Sequence, residues 1–113
     1  MTADLSSFKV LSFDCYGTLI DWETGIRTAL RPLLEEAGVS PSRDALLETF
    51  AKHESAQQAA TPNLPYSDLL TKIHHQLADL LSVDMSDAAH RRFGASVADW
   101  PVFPDTVPSL EYL

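Results

Sequence analysis

The sequence pattern with the clearest chemical potential is a lone carboxylate followed by a tight turn and a hydroxyl. Asp14 ends an apolar run, Gly17 supplies a turn signal, and Thr18 adds a hydroxyl close to the carboxylate. A carboxylate held in this way can attack an electrophilic atom and form a covalent ester. The amides of such a turn can bind an anion. A short motif of this kind more often marks a plain turn at the end of a strand. The residues around it must therefore decide between a structural turn and a reactive carboxylate.

One strand and a series of helices must position this turn. The apolar, aromatic and β-branched run at residues 8–13 predicts a buried strand that ends at Asp14. Apolar residues spaced three and four apart predict the helices that follow. These cover residues 24–37, 41–60, 66–81, 86–97 and 105–113, with an apolar linker at 100–104. Gly38 and Asp105 are expected caps, and Pro32 is expected to kink or split the first helix.

Composition and charge narrow the class of protein. The 113 residues fit one domain at most, since a domain commonly takes roughly 100–200 residues. Sixteen Asp and Glu against eight Lys and Arg give a net charge of −8, which disfavours nucleic acid and anionic membranes as partners. No membrane-spanning run or signal peptide is visible, and a single cysteine, Cys15, fits a reducing compartment. We therefore expect a cytoplasmic protein.

The longer string around Asp14 sharpens its interpretation. Residues 10–19, Val-Leu-Ser-Phe-Asp-Cys-Tyr-Gly-Thr-Leu, resemble the first motif of the haloacid dehalogenase-like hydrolase superfamily. The resemblance implies an α/β fold, a Rossmannoid core of which this chain holds the first strand plus a mostly α-helical cap. It divides the chain into the first core strand and nucleophile loop at 1–21, the helical cap at 22–99, and a return linker with the start of the next core helix at 100–113. The later motifs of the superfamily do not occur in these 113 residues, so an N-terminal fragment with little activity of its own is expected.

Tyr16 makes the resemblance nearest to the L-2-haloacid dehalogenase branch, because phosphatases of the superfamily carry a second Asp at this position. A phenol is a poor proton donor near neutral pH, whereas a halide leaves without a proton. The resemblance implies hydrolytic dehalogenation of small 2-haloacids through an ester on the nucleophile Asp14, without a cofactor. Cys15, Tyr16 and Thr18 are the implied substrate-binding residues. The alternatives are a phosphatase-like hydrolase, which would use Mg²⁺, and a non-catalytic chain that binds a partner.

The dehalogenases also use an arginine of the second cap helix to receive the substrate carboxylate or the halide. The corresponding positions, Phe50 to His53, hold no arginine. Lys52 is therefore the expected substrate-binding cation, with Arg43 as a weaker candidate. The expected partner is a small organic acid as substrate. Both a monomer and a homodimer are compatible with the sequence.

Three other features have a structural as well as a functional interpretation. His74 and His75 are neighbours on a predicted helix, where side chains diverge by about 100°, so we expect a surface location rather than a shared metal. Cys15 is expected to pack as a small residue. Tyr16 and Trp22 fit the lining of a substrate pocket and core packing about equally well.

Overall fold

Five α-helices dominate the part of the chain that the computed structural model describes, residues 5–113. They are α1 (Trp22–Ala37), α2 (Arg43–Ala60), α3 (Tyr66–Leu80), α4 (Asp87–Ala95) and α5 (Thr106–Tyr112), with 3-10 helices at Leu5–Ser7 and Ser96–Asp99. Residues 1–4, which begin the predicted segment 1–21, lie outside the described residues. No helix in the described range is long and apolar enough to span a membrane.

The predicted α/β fold is wrong for residues 5–113, which contain no strand and no sheet. Only two isolated β-bridges occur among them, Tyr16 with Ile20 and Ile20 with Val102. Residues 8–13, the predicted buried strand, run without a ladder partner and are exposed throughout. The side chain of Val10 is 83% exposed and that of Phe8 is 60% exposed. The physical reason is that a strand satisfies its backbone groups only through neighbouring strands, and the described residues offer none.

The helices follow the predicted pattern because the signals that start and stop them are local. Ser42 and Ser86 accept hydrogen bonds from the amides of Ala45 and Ala89, which caps the starts of α2 and α4. Gly38 ends α1 in the left-handed conformation, with φ of 67°, as predicted. Asp105 precedes α5 but makes no side-chain capping bond, so its predicted capping role is wrong.

Pro32 does not split the first helix, contrary to one of the predicted outcomes. The helix α1 continues from Trp22 to Ala37 through the proline. Pro32 and Thr28, whose carbonyl loses its amide donor, are both exposed. Water can therefore solvate that carbonyl, and the rest of the helix is held by its buried face.

The core lies between α1, α2, α3 and α4. Phe50 and Leu70 are at most 1% exposed at its centre. The remaining buried apolar residues are Ile26, Leu30, Leu33, Leu47, Leu69, Ile73, Leu77, Ala78, Phe93 and Trp100. Trp100 lies directly against α1 at Gly25, where a Cβ atom would collide with the indole ring. This close approach brings the linker after α4 back to the start of α1, next to the Asp14 turn.

Candidate functional site

The turn after Asp14 is closed by backbone hydrogen bonds that converge on one carbonyl. The amides of Thr18, Leu19 and Ile20 donate to the carbonyl oxygen of Cys15 over 3.2, 2.7 and 3.0 Å. The amide of Gly17 donates to Ile20 over 2.9 Å, and Gly17 has φ of 85°, a conformation that favours glycine. The four amides at 17–20 are thus used inside the turn. Among the described residues, the amides of Cys15 and Tyr16 remain without an acceptor and are free for a ligand.

The Asp14 carboxylate is exposed and oriented by a hydroxyl. Thr18 donates its Oγ1 hydrogen to Asp14 Oδ2 over 3.0 Å, as the motif predicts for these two side chains. The other carboxylate oxygen, Oδ1, has no partner within residues 5–113. One oxygen is therefore anchored and one is available for attack. Both residues lie in water in this chain, so the turn positions the carboxylate without desolvating it.

Hydrogen bonds with the linker before α5, and with the first residue of α5, hold the turn in place. Asp21 donates its amide to Pro101 over 2.8 Å, and Phe103 donates its amide to Leu19 over 3.3 Å. The buried Thr106 hydroxyl donates to the same Leu19 carbonyl over 2.8 Å. These bonds join residues about eighty positions apart in the chain, which the sequence pattern did not predict. They fix the turn at residues 15–20 relative to the helices.

An aromatic groove lies beside this turn. We define it by its five lining residues, Tyr16, Trp22, Glu54, Gln58 and Tyr66, which enclose about 510 Å³. The rings of Tyr16 and Tyr66 lie 5.5 Å apart between centroids. Trp22 also packs against the core residue Phe50, with the ring centroids 6.4 Å apart, so it lines the groove and contacts the core. Its indole nitrogen is close to the turn, since a Cβ on Gly17 would lie 3.5 Å from it.

Glu54 and Tyr66 form the polar side of the groove. Tyr66 donates its hydroxyl hydrogen to Glu54 Oε2 over 2.5 Å. Burial, reinforced by this hydrogen bond, raises the pKa of Tyr66 far above its ordinary value. Burial also raises the pKa of Tyr16, with smaller contributions from Cys15 and Glu54. Both phenols therefore remain protonated hydrogen-bond donors at neutral pH.

No motif in the sequence marks Glu54, Gln58 or Tyr66 as site residues. Glu54 and Gln58 are four positions apart, so they share one face of α2, and Tyr66 begins the next helix after a proline-containing loop. The available signal was this helical spacing of polar residues on a helix that also carries the buried Phe50. It could not show which face turns toward Tyr16.

Lys52, the predicted substrate-binding cation, does not line the groove. It is exposed on α2, two residues from Glu54, and so points about 200° away around the helix axis. Arg43, the weaker candidate, forms an ion pair with Glu23. The five groove residues include no lysine or arginine. The structure therefore joins Asp14 to Thr18 and places Tyr16 in the groove, but it leaves Lys52 outside.

His74 is buried, which contradicts its predicted surface location. His74 and His90 are each 3% exposed, and their Nδ1 atoms lie 2.6 Å apart. His75 is exposed, as predicted, and its ring stacks on that of His90. Burial and the neighbouring histidines lower the pKa of His74 to about 4. In the described range no group of three or more His, Cys, Asp or Glu is arranged to hold a metal ion.

Cys15 is also placed differently from its prediction. It is a free, exposed cysteine rather than a packed small residue. Its thiol is therefore accessible to solvent next to Asp14 in the chain.

Neither the family models nor the curated proteins compared with this chain give a match.

Proposed function

We propose that the chain carries the nucleophile of a haloacid dehalogenase-like hydrolase that works through an ester on Asp14. The observation that carries the proposal is the hydrogen bond from Thr18 to Asp14 Oδ2, which leaves Oδ1 unpaired in a turn closed at Gly17. The aromatic groove beside this turn supplies a place for the rest of a small substrate.

The proposed reaction has two steps. Asp14 Oδ1 attacks the carbon that bears the halogen, so a C–O bond forms while the C–halogen bond breaks, and the halide leaves with the electron pair. Water then attacks the Asp14 carboxyl carbon, which frees the hydroxylated product, regenerates the carboxylate and releases one proton. The amides of Cys15 and Tyr16 would bind the oxygen that gains charge in the second step.

A halide leaving group suits Tyr16 better than a phosphate ester does. A phosphatase must protonate an alkoxide, and the raised pKa of Tyr16 makes its phenol a still weaker acid than usual. A halide needs no proton. Small 2-haloacids are the substrates that we propose on the strength of the motif, in a cytoplasmic enzyme, which the free thiol of Cys15 supports.

Oxygen labelling tests the nucleophile directly. The chain is incubated with 2-chloropropionate in ¹⁸O-labelled water, and the peptide that contains Asp14 is analysed by mass spectrometry. Because little activity is expected of these 113 residues alone, the incubation is long and the chain is used in excess over substrate. We expect slow chloride release and label in the Asp14 carboxylate of the wild-type chain, because water attacks that carbon.

The matched control is Asp14→Asn, which preserves shape, and Asp21→Asn serves as a second carboxylate in the same segment. We expect Asp14→Asn to lose chloride release and Asp21→Asn to retain it. Label found in product alone, with an unlabelled Asp14, would mean that water attacks the substrate directly and that the proposal is wrong.

Partner binding is a second candidate function, because the described residues expose two apolar segments. Phe8, Val10 and Phe13 are 60%, 83% and 47% exposed, and on α5 Leu110 and Tyr112 are 42% and 91% exposed. Apolar groups clustered in this way often mark an interface. Sedimentation velocity across a range of protein concentrations tests for self-association. A concentration-dependent species that Val10→Asp abolishes supports an interface, and a single monomeric species excludes a homodimer.

A further inference from the structure

Three of the eight Lys and Arg residues of this acidic chain line one cleft, between α1 and the start of α2. They are Arg27, Arg31 and Arg43, and the cleft measures about 440 Å³. An apolar cavity of about 220 Å³ adjoins it, where the second half of α1 and the end of α3 meet the first half of α2. None of the residues that line these two cavities belongs to the aromatic groove. We infer that the two cavities together bind a medium-chain fatty acid, with its carboxylate at the arginines and its alkyl chain in the apolar cavity.

Two of the three arginines carry a charge that the chain does not neutralise. Arg43 pairs with Glu23, but within the described residues neither Arg27 nor Arg31 has a hydrogen bond or an ion pair. Arg27 and Arg31 are four positions apart, so their like charges share one face of α1, a spacing that destabilises a helix. Among the residues that line the cleft, Glu35 is the only acid. A carboxylate bound here relieves the repulsion and matches the planar donor groups of the two guanidinium ions.

The apolar cavity fits the alkyl chain of such an acid. All of its lining residues except Thr49 are apolar, and they include Leu33, Leu77 and Leu81. An engineered apolar cavity of about 150 Å³ stays dry and takes up benzene. A cavity of about 220 Å³ therefore holds an alkyl chain of roughly six to eight carbons, whose apolar surface is removed from water on binding.

The charged cleft and the apolar cavity adjoin along a shared apolar rim. Leu34, Val39, Pro41 and Leu46 line both of them. Val39 and Pro41 are exposed, so this rim lies at the surface rather than inside the core. One ligand can therefore occupy both cavities if it crosses the rim. The ligand that this arrangement selects is anionic at one end and apolar along the rest of its length.

Three ligands with the same eight-carbon chain and different head-group charge test the charged cleft: octanoate, octanol and octylammonium. Isothermal titration calorimetry of the full chain, below the concentrations at which these ligands aggregate, measures their dissociation constants. We expect octanoate to bind roughly tenfold or more tightly than octylammonium, because two unpaired arginines favour the anion. Butyrate, which is four methylenes shorter, is expected to bind roughly a hundredfold more weakly than octanoate, since each buried methylene contributes about fourfold.

A double variant, Arg27→Gln with Arg31→Gln, removes both unpaired charges. We expect it to weaken octanoate binding roughly tenfold and to leave octanol binding unchanged, because octanol uses only the apolar cavity. Arg91→Gln with Arg92→Gln makes the same change on α4, outside both cavities, and should alter neither ligand's affinity. Circular dichroism shows whether the helices are retained. If the first double variant loses them, Arg31→Gln alone is expected to weaken octanoate binding severalfold.

Ala45→Leu tests the apolar cavity, because the larger side chain fills part of it from α2. We expect weaker binding of octanoate and octanol alike. Ala59→Leu, at an exposed position near the end of α2, is the control and should bind both ligands like the wild type. In ¹H–¹⁵N NMR spectra the amide signals of Val39 and Ser40 should shift with octanoate, whereas the indole signal of Trp22 in the aromatic groove should not.

Absence of octanoate binding, equal binding of octanoate and octylammonium, or wild-type octanoate affinity in the folded double variant Arg27→Gln with Arg31→Gln would each overturn the inference. A shift of the Trp22 indole signal without shifts at Val39 and Ser40 would do the same. The site is separate from the proposed reaction, so Asp14→Asn is expected to bind octanoate like the wild type. Octanoate binding without oxygen label on Asp14 would support the fatty-acid site and reject only the nucleophile.

Discussion

The helical block and the segment that carries Asp14 satisfy their physical requirements in different ways. The block, Trp22 to Trp100, closes its backbone hydrogen bonds within each helix and buries the side chains of Phe50 and Leu70 almost completely. The segment at residues 8–14 has neither advantage, since it lacks ladder partners and exposes its apolar side chains. An apolar segment is therefore buried only where its backbone N–H and C=O groups also find hydrogen-bond partners.

The turn at 15–20 lies between these two cases. Residues 15–18 are exposed, as the preceding segment is, and residues 19–20 are partly buried, but hydrogen bonds from the turn's own amides and from the linker before α5 hold it in place. The candidate nucleophile is thus positioned by the helical block rather than by a sheet. This arrangement gives three tests of how far the two regions differ, beginning with the largest expected effect.

Removal of one phenylalanine ring from each region gives the largest contrast. We expect Phe50→Ala to lower the free energy of unfolding by about 3–5 kcal/mol, because Phe50 is 1% exposed and contacts Trp22 and Phe93. Phe8→Ala, at 60% exposure, is expected to change it by about 0.5 kcal/mol or less. Urea unfolding followed by circular dichroism measures both. Similar losses in the two variants would show that residues 8–13 are buried in solution.

Acid should weaken the helical block through the buried histidine pair. The pKa of His74 is about 4 in the folded chain against an ordinary 6.5, so the unfolded chain binds more protons between these values. The contribution of neutral His74 to the free energy of unfolding is therefore fully present above about pH 6.5. It is lost as the pH falls toward 4, and the total loss is on the order of 3 kcal/mol. Protonation of both rings would also place two N–H groups face to face across the 2.6 Å Nδ1 contact.

The charged groups around His74 and His90 determine which variants serve as controls. Burial and the facing His75 lower the pKa of His90, whereas a hydrogen bond that His90 donates to the Met85 backbone and the charges of Asp87 and Asp79 raise it. We expect His74→Phe, which keeps the aromatic stacking on Phe93, to flatten the dependence of unfolding free energy on pH between 6.5 and 4. His53→Asn, on α2, is the control and should keep the wild-type slope. An unchanged slope in His74→Phe would assign the acid sensitivity to other groups.

The smallest expected effect distinguishes two helix starts that look alike in sequence. Ser42→Ala should cost about 1 kcal/mol, because Ser42 accepts a hydrogen bond from Ala45 at the start of α2. Asp105→Ala should be close to neutral, because Asp105 makes no capping bond to α5. Thermal unfolding of the two variants provides the comparison. A larger loss for Asp105→Ala than for Ser42→Ala would mean that α5 is capped in solution after all.

Much of the helical block could be predicted because its determinants are short-range. The apolar spacing of α3, the serine caps of α2 and α4, and Gly38 at the end of α1 all act within one or two turns of chain. The strand prediction was wrong because its determinant, a neighbouring strand, is not a property of residues 8–13. Likewise, sequence spacing predicts a surface location for His74 because it cannot show that α4 brings His90 against it.

For the candidate site, the sequence by itself determined the chemistry of the turn. Asp14, Gly17 and Thr18 are close in the chain, so their spacing alone brings the hydroxyl to the carboxylate and allows the positive φ of Gly17. Tertiary structure alone decided what lies beside that turn. Glu54 and Tyr66 reach it through the packing of α2 and α3, while Lys52 is turned away by the same helix. The reason is that helical phase fixes which residues share a face, whereas only packing determines what each face meets.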